Sequence, residues 1–179
     1  MRRIAFAVAV AAVAGVATYM ESASGQSSGD AAPIYGVKIP DGYRDWRLIS
    51  VKQLTGKQLT GTGGELKQLR AELGNDIAIK AYREGKLPFP DGAIIARVAW
   101  SYVPSEENNR VFGRAQSFVA GSPTNVQFMV KNSKDYASTG GWGYTQFSGG
   151  KPAHVDVRAC YACHVPVKDR DFLFTRYSP

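Results

Sequence analysis

The stretch RACYACHVPV, residues 158–167, constrains this chain more than any other part of it. It holds the only two cysteines, Cys160 and Cys163, with His164 directly after the second. Four chemistries use such a group. Two cysteines in an exported protein can close one disulfide. A Cys-x-x-Cys pair also suits a thiol-redox motif, but that motif opens a helix in a βαβ context that is missing here. Zinc could draw on Cys160, Cys163, His164 and His154. Structural zinc sites bring their ligands from two separated pairs, however, and the neighbouring Cys163 and His164 would strain to meet one ion. The fourth chemistry is covalent haem, for which Cys-x-x-Cys-His is the attachment signature. Both thiols add to vinyl groups of the macrocycle and fix it against one turn of backbone. The next imidazole is then the proximal iron ligand. The expectation is one covalent haem c, on Cys160 and Cys163, with His164 as proximal ligand.

Residues 1–25 read as a secretory signal peptide. Arg2 and Arg3 open it, residues 4–20 carry no charge and are mostly alanine and valine, and small residues follow. A retained anchor would need about 20 apolar residues. Cleavage after Gly25 leaves about 154 residues, enough for one compact domain. Residues 26–38 read as a flexible start by composition, and 39–179 as a single haem domain. The periplasm is the expected destination. Lys plus Arg number 22 against 15 Asp plus Glu, or 20 against 14 without Arg2, Arg3 and Glu21. The basic residues are scattered, so nucleic acid is not an expected partner; a basic surface can attract acidic partners or anions, but most of these residues read as an ordinary solvated surface.

The second axial position decides the class of function. A six-coordinate electron carrier fills it, commonly with Met or His. After cleavage the sequence offers only Met129 and His154. Met129 lies in the apolar run 125–130 and reads as core filler; His154 reads as a surface residue beside a Gly-Gly-Lys-Pro turn. An open distal face, suited to small-molecule chemistry or gas binding, is therefore expected. The six-coordinate carrier using Met129 or His154 is the alternative, and an exported β domain with one disulfide is a third reading.

The body does not read as a helical bundle. The segments 45–51, 93–102, 115–120, 125–130 and 141–147 are short, aromatic and β-branched. Nineteen glycines and nine prolines separate such runs. One helix is expected over 75–85, capped by Asn75 or Asp76 and ended by Gly85. A short one is expected from Ser133, and another should carry the haem cysteines. The tandem duplication KQLTGKQLTG, residues 52–61, reads as a solvent loop. The fold class is α+β: a mainly antiparallel sheet with a few short helices, packed over one c-type haem.

With that body, the segments PDGYRDW (40–46), FPDGAIIARV (89–98), VKNSKDYASTGGWGY (130–144), CYACH (160–164) and DFLFTRY (171–177) occur in order. The chain thereby resembles the cytochrome P-460 family, which includes the cytochromes c′-beta, over roughly 39–177. The resemblance implies a β-sheet packed over one haem, often in homodimers, reacting with hydroxylamine or binding nitric oxide at an open distal site. In members that oxidise hydroxylamine, a lysine is cross-linked to the haem. Arg97 stands at that position, and a guanidinium is a poor nucleophile because it stays protonated. A proton-relaying carboxylate of those enzymes corresponds to Gln127, which cannot titrate. Arg70 matches a distal arginine. The resemblance thus implies a distal pocket with Arg70, Arg97 and Gln127 and a protein of the cytochrome c′-beta kind. It leaves open whether the chain is a hydroxylamine or nitric oxide oxidoreductase. Its expected partners are a small nitrogen oxide, a soluble redox protein and a second copy of itself.

Overall fold

The structure is a computed structural model describing residues 37–57, 65–153 and 155–178. The signal segment 1–25, most of the flexible start and His154 lie outside the described residues. Six strands follow the chain: β1 (Arg47–Lys57), β2 (Glu65–Gly74), β3 (Ile94–Pro104), β4 (Phe118–Lys131), β5 (Trp142–Ser148) and β6 (Lys151–Pro152). They form one sheet in the order β1-β2-β3-β4-β5-β6, every neighbouring pair antiparallel. Three α-helices accompany it: α1 (Asp76–Glu84), α2 (Glu106–Phe112) and α3 (Val157–His164).

Helix α1 starts and stops as its sequence requires. The Asn75 side chain accepts the Ala78 N–H at 3.0 Å, and Gly85 ends the helix with φ +61°. Strand β2 was not anticipated. ELKQLRAELG is rich in good helix formers, but its Leu69, Ala71 and Leu73 alternate, and it is paired along both edges by β1 and β3. Two-sided pairing outweighs its propensity. Helix α2, capped by Ser105, was not anticipated either.

Three expectations need correction. The strands foreseen at 115–120 and 125–130 are one strand, β4. The register against β3 shifts around Trp100, where Pro123 lies opposite, so the Gly-Ser-Pro run marks a bulge and not a turn. No α-helix starts at Ser133. Asn132 Oδ1 instead accepts the Lys134 and Asp135 N–H groups, and a single 3-10 turn follows at Ala137–Thr139. The duplication is not wholly a loop, since residues 52–57 belong to β1; 58–61 lie outside the described residues.

Alternation along the strands builds two cores. On one face Ala96, Val98, Val126, Phe128 and Phe147 are covered by Ile39, Tyr43 and Trp46 from the segment before β1. On the other, Ile49, Ile95, Trp142 and Tyr144 meet α1, Phe89, Val157 and Leu173. This second face also carries the candidate site, because Arg97 is two residues from Ile95 and so points the same way.

Candidate functional site

Helix α3 begins at Asp156, whose side chain accepts the Arg158 N–H at 3.0 Å. It presents Cys160, Cys163 and His164 at positions i, i+3 and i+4, which share a helix face. Both cysteines are free thiols, Cys160 half-buried and Cys163 exposed. Beyond α3 a 3-10 segment, Val165–Arg170, turns the chain back. Asp171 and Phe172 then adopt left-handed φ values of +50° and +63°. That turn brings the Phe172 carbonyl 2.6 Å from His164 Nδ1. A carbonyl only accepts, so Nδ1 carries the proton and Nε2 keeps a lone pair for a metal. The ring lies edge-on to Tyr144 and Phe174, at centroid distances of 5.1 and 4.9 Å. Burial, above all, holds the imidazole pKa below its ordinary value, favouring the neutral ring that ligates.

The thiols and the imidazole line one cavity of about 700 Å³ with the inner face of the sheet. That volume lies in the range of about 300–1,000 Å³ typical of small-molecule and cofactor pockets. The sheet contributes a polar row set by register: Ser50 opposite Glu72, Glu72 opposite Arg97, Arg97 opposite Gln127, and Gln127 opposite Gln146. Arg70 stands one row along, opposite Lys52. All three distal residues expected from the sequence, Arg70, Arg97 and Gln127, therefore line the cavity that holds Cys160, Cys163 and His164. Met129 lines it too and packs against the Ile95 cluster.

Arg97 is the least satisfied member of the row. Its Nη2 donates to Asn125 Oδ1 at 2.5 Å, while its buried Nε has no partner. Burial, with the Arg70 charge second, lowers its pKa to about 9, so it stays cationic at neutral pH. Its charge acts on both Cys160 and His164. Gln127 is differently placed, because its Nε2 already donates to Gln146 Oε1 at 2.5 Å.

Two cavity residues escaped the sequence reading. Glu72, 4% exposed, accepts from Ser50 Oγ and pairs with Lys52 Nζ, each at 3.1 Å. Lys52 also donates to Thr175 Oγ1 at 3.1 Å, tying β1 to the C-terminal tail. Glu72 lies in the strand that was not anticipated, and Lys52 in the duplication that reads as a loop; only cross-strand register reveals them. Lys52, Arg70 and Arg97 thus face the cavity with one lining carboxylate, Glu72. Among the described residues no three His, Cys, Asp or Glu side chains converge as ligands of a metal ion.

Fold and site together define a class: an antiparallel sheet closing one ligand cavity whose walls carry two free thiols and an oriented imidazole. The family model described as Cytochrome P460 matches residues 40–175. The chain belongs to the cytochrome P460 family, and that membership implies haem binding. A search of curated proteins finds no match to the chain. The residues present fit the cofactor: Nε2 is left for iron, the thiols adjoin it on one helix face, Ile95 and Leu173 supply apolar wall, and Arg97 offers an unused donor.

Proposed function

We propose that this chain is an exported, periplasmic mono-haem c protein that binds or converts a small nitrogen species such as nitric oxide or hydroxylamine. The haem would be held through Cys160 and Cys163, with His164 proximal, and would supply a redox-active iron. The observation that carries this reading is the single cavity joining those three residues to Arg97 and its partnerless Nε.

The protein's own groups divide the work. His164 keeps its proton on Nδ1 through Phe172, which fixes ring orientation and raises ligand basicity. Arg70 and Arg97 present cationic donors to a polar or anionic nitrogen species. Gln127 can hydrogen-bond without taking up a proton, and Arg97 replaces the lysine that would form a haem cross-link. Both favour ligand binding in the manner of the cytochromes c′-beta over rapid hydroxylamine oxidation. A homodimer and a soluble redox partner complete the reading.

Met129 supports a second reading, since it shares the cavity with His164. As second axial ligand it would make the protein a six-coordinate electron carrier. The ferrous optical spectrum of purified holoprotein, recorded with and without nitric oxide, separates the two. A high-spin spectrum that responds to nitric oxide is expected. A low-spin, six-coordinate spectrum in both oxidation states refutes the open site and favours the carrier. Absence of covalent haem by mass spectrometry refutes both.

A further inference from the structure

Behind His164, away from the polar row, two opposite charges are buried together. Lys131 Nζ, at the end of β4, lies 2.7 and 2.9 Å from the two carboxylate oxygens of Asp171, and the side chains are only 5% and 7% exposed. The pair is well satisfied. Asp171 Oδ2 also accepts the Phe89 N–H at 2.8 Å, while Lys131 donates to the Gly140 carbonyl at 3.1 Å and lies 5.0 Å from the Trp142 ring centre.

Stability alone is a weak reason for such a pair, because desolvating two ions offsets most of their attraction. Its position suggests another. Asp171 is the first of two consecutive non-glycine residues in the left-handed region, and such conformations persist only where the surroundings over-determine them. Phe172, the second, carries the carbonyl that receives the His164 proton. Its ring is held from the far side, since a Cβ on Gly140 would lie 2.1 Å from Phe172 Cε2. Lys131 therefore reaches both walls of this slot: Asp171 on one side and the Gly140 carbonyl on the other.

We propose that the buried Lys131–Asp171 pair is a positioning device for the axial histidine, locking the turn that aims the Phe172 carbonyl at His164 Nδ1. The inference rests on the haem reading above. Breaking the pair loosens that hydrogen bond, lowers the donor strength of the imidazole and weakens its hold on ferric iron.

The test compares holoprotein carrying Asp171→Asn with wild type and with Ser105→Ala, which removes the α2 cap at the opposite end of β4 from Lys131. Two readouts are taken besides thermal stability: the ferrous iron–histidine stretching band by resonance Raman, and the haem reduction potential. Asp171→Asn should move the band to lower frequency and raise the potential. Ser105→Ala should lower stability and move neither, and Lys131→Arg should keep the band near wild type. If Asp171→Asn does not fold, the double variant Lys131→Met/Asp171→Asn, neutral at both positions, is measured instead with the same expectation. A loaded variant whose band and potential stay at wild-type values overturns the inference while leaving the haem reading intact. Wild-type protein without covalent haem removes the reading on which the inference stands.

Discussion

On the α3 side of the cavity the groups that orient the imidazole are committed. Nδ1 has the Phe172 carbonyl, that residue's ring has the Gly140 slot, and Asp171 has Lys131 and the Phe89 N–H. On the sheet side, Arg97 keeps a buried donor with no partner, and Arg70 donates through Nε to Gln68 while forming no ion pair among the described residues. The two walls teach a division of labour. One is over-determined and suits a ligand that must never move; the other holds donors in reserve for something that comes and goes.

The sharpest way to break this contrast is to remove the attachment itself. Cys160→Ser combined with Cys163→Ser should abolish the covalent mass added to the polypeptide, as read by mass spectrometry. Next in size is Trp142→Ala. This ring is fully buried between Phe89 and Lys131 on the committed side, and its loss should cost about 3–5 kcal/mol in chemical denaturation. On the reserve side, Arg97→Gln should leave the fold in place and weaken affinity for an anionic or polar nitrogen ligand about ten- to a hundredfold. That is the size of one lost charge-assisted hydrogen bond, about 1.5–3 kcal/mol.

The pH dependence sharpens the same point. Arg97 has a folded pKa of about 9, well below the ordinary guanidinium value. Its contribution to ligand affinity should be constant below pH 8 and fall as pH rises through about 9, a fall absent in Arg97→Gln. Since the unfolded chain keeps that proton to higher pH, stability contributed by this residue rises as pH climbs above about 9, the opposite trend. The smallest effect is expected for Gln127→Ala. Its donor is already engaged by Gln146, so ligand affinity should change less than about fivefold, the worth of one neutral hydrogen bond.

What could be read from the sequence follows the distance over which each feature is encoded. Cys160, Cys163 and His164 lie on consecutive turns of one helix, so their spacing alone announces them. The cap of α1 is equally local. Glu72 and Lys52 meet at the cavity only because β1 and β2 pair in a particular register, and β2 disguises itself with helix-forming residues. Asp171 and Lys131 are forty positions apart, and neither charge looks different from a surface one until both are found buried. Arg70, Arg97 and Gln127 were reachable through family resemblance. Their common face is a product of the ladder, which a linear string does not display. The separation of 115–120 from 125–130 failed for a related reason: a bulge and a turn use the same residues, and only the partner strand distinguishes them.

The strictly sequential order of the sheet bears on how the molecule assembles. Each strand pairs with its neighbour along the chain, so the sheet closes without any crossover between strands. The long-range step is the return of the tail, which bonds Ser178 N–H to the Ile49 carbonyl at 2.9 Å and Lys52 to Thr175. On the covalent-haem reading, the sheet would stand finished while the thiol-bearing helix is still free to meet the cofactor. Docking of the tail, whose Leu173, Phe174 and Thr175 line the cavity, would then close that side of it.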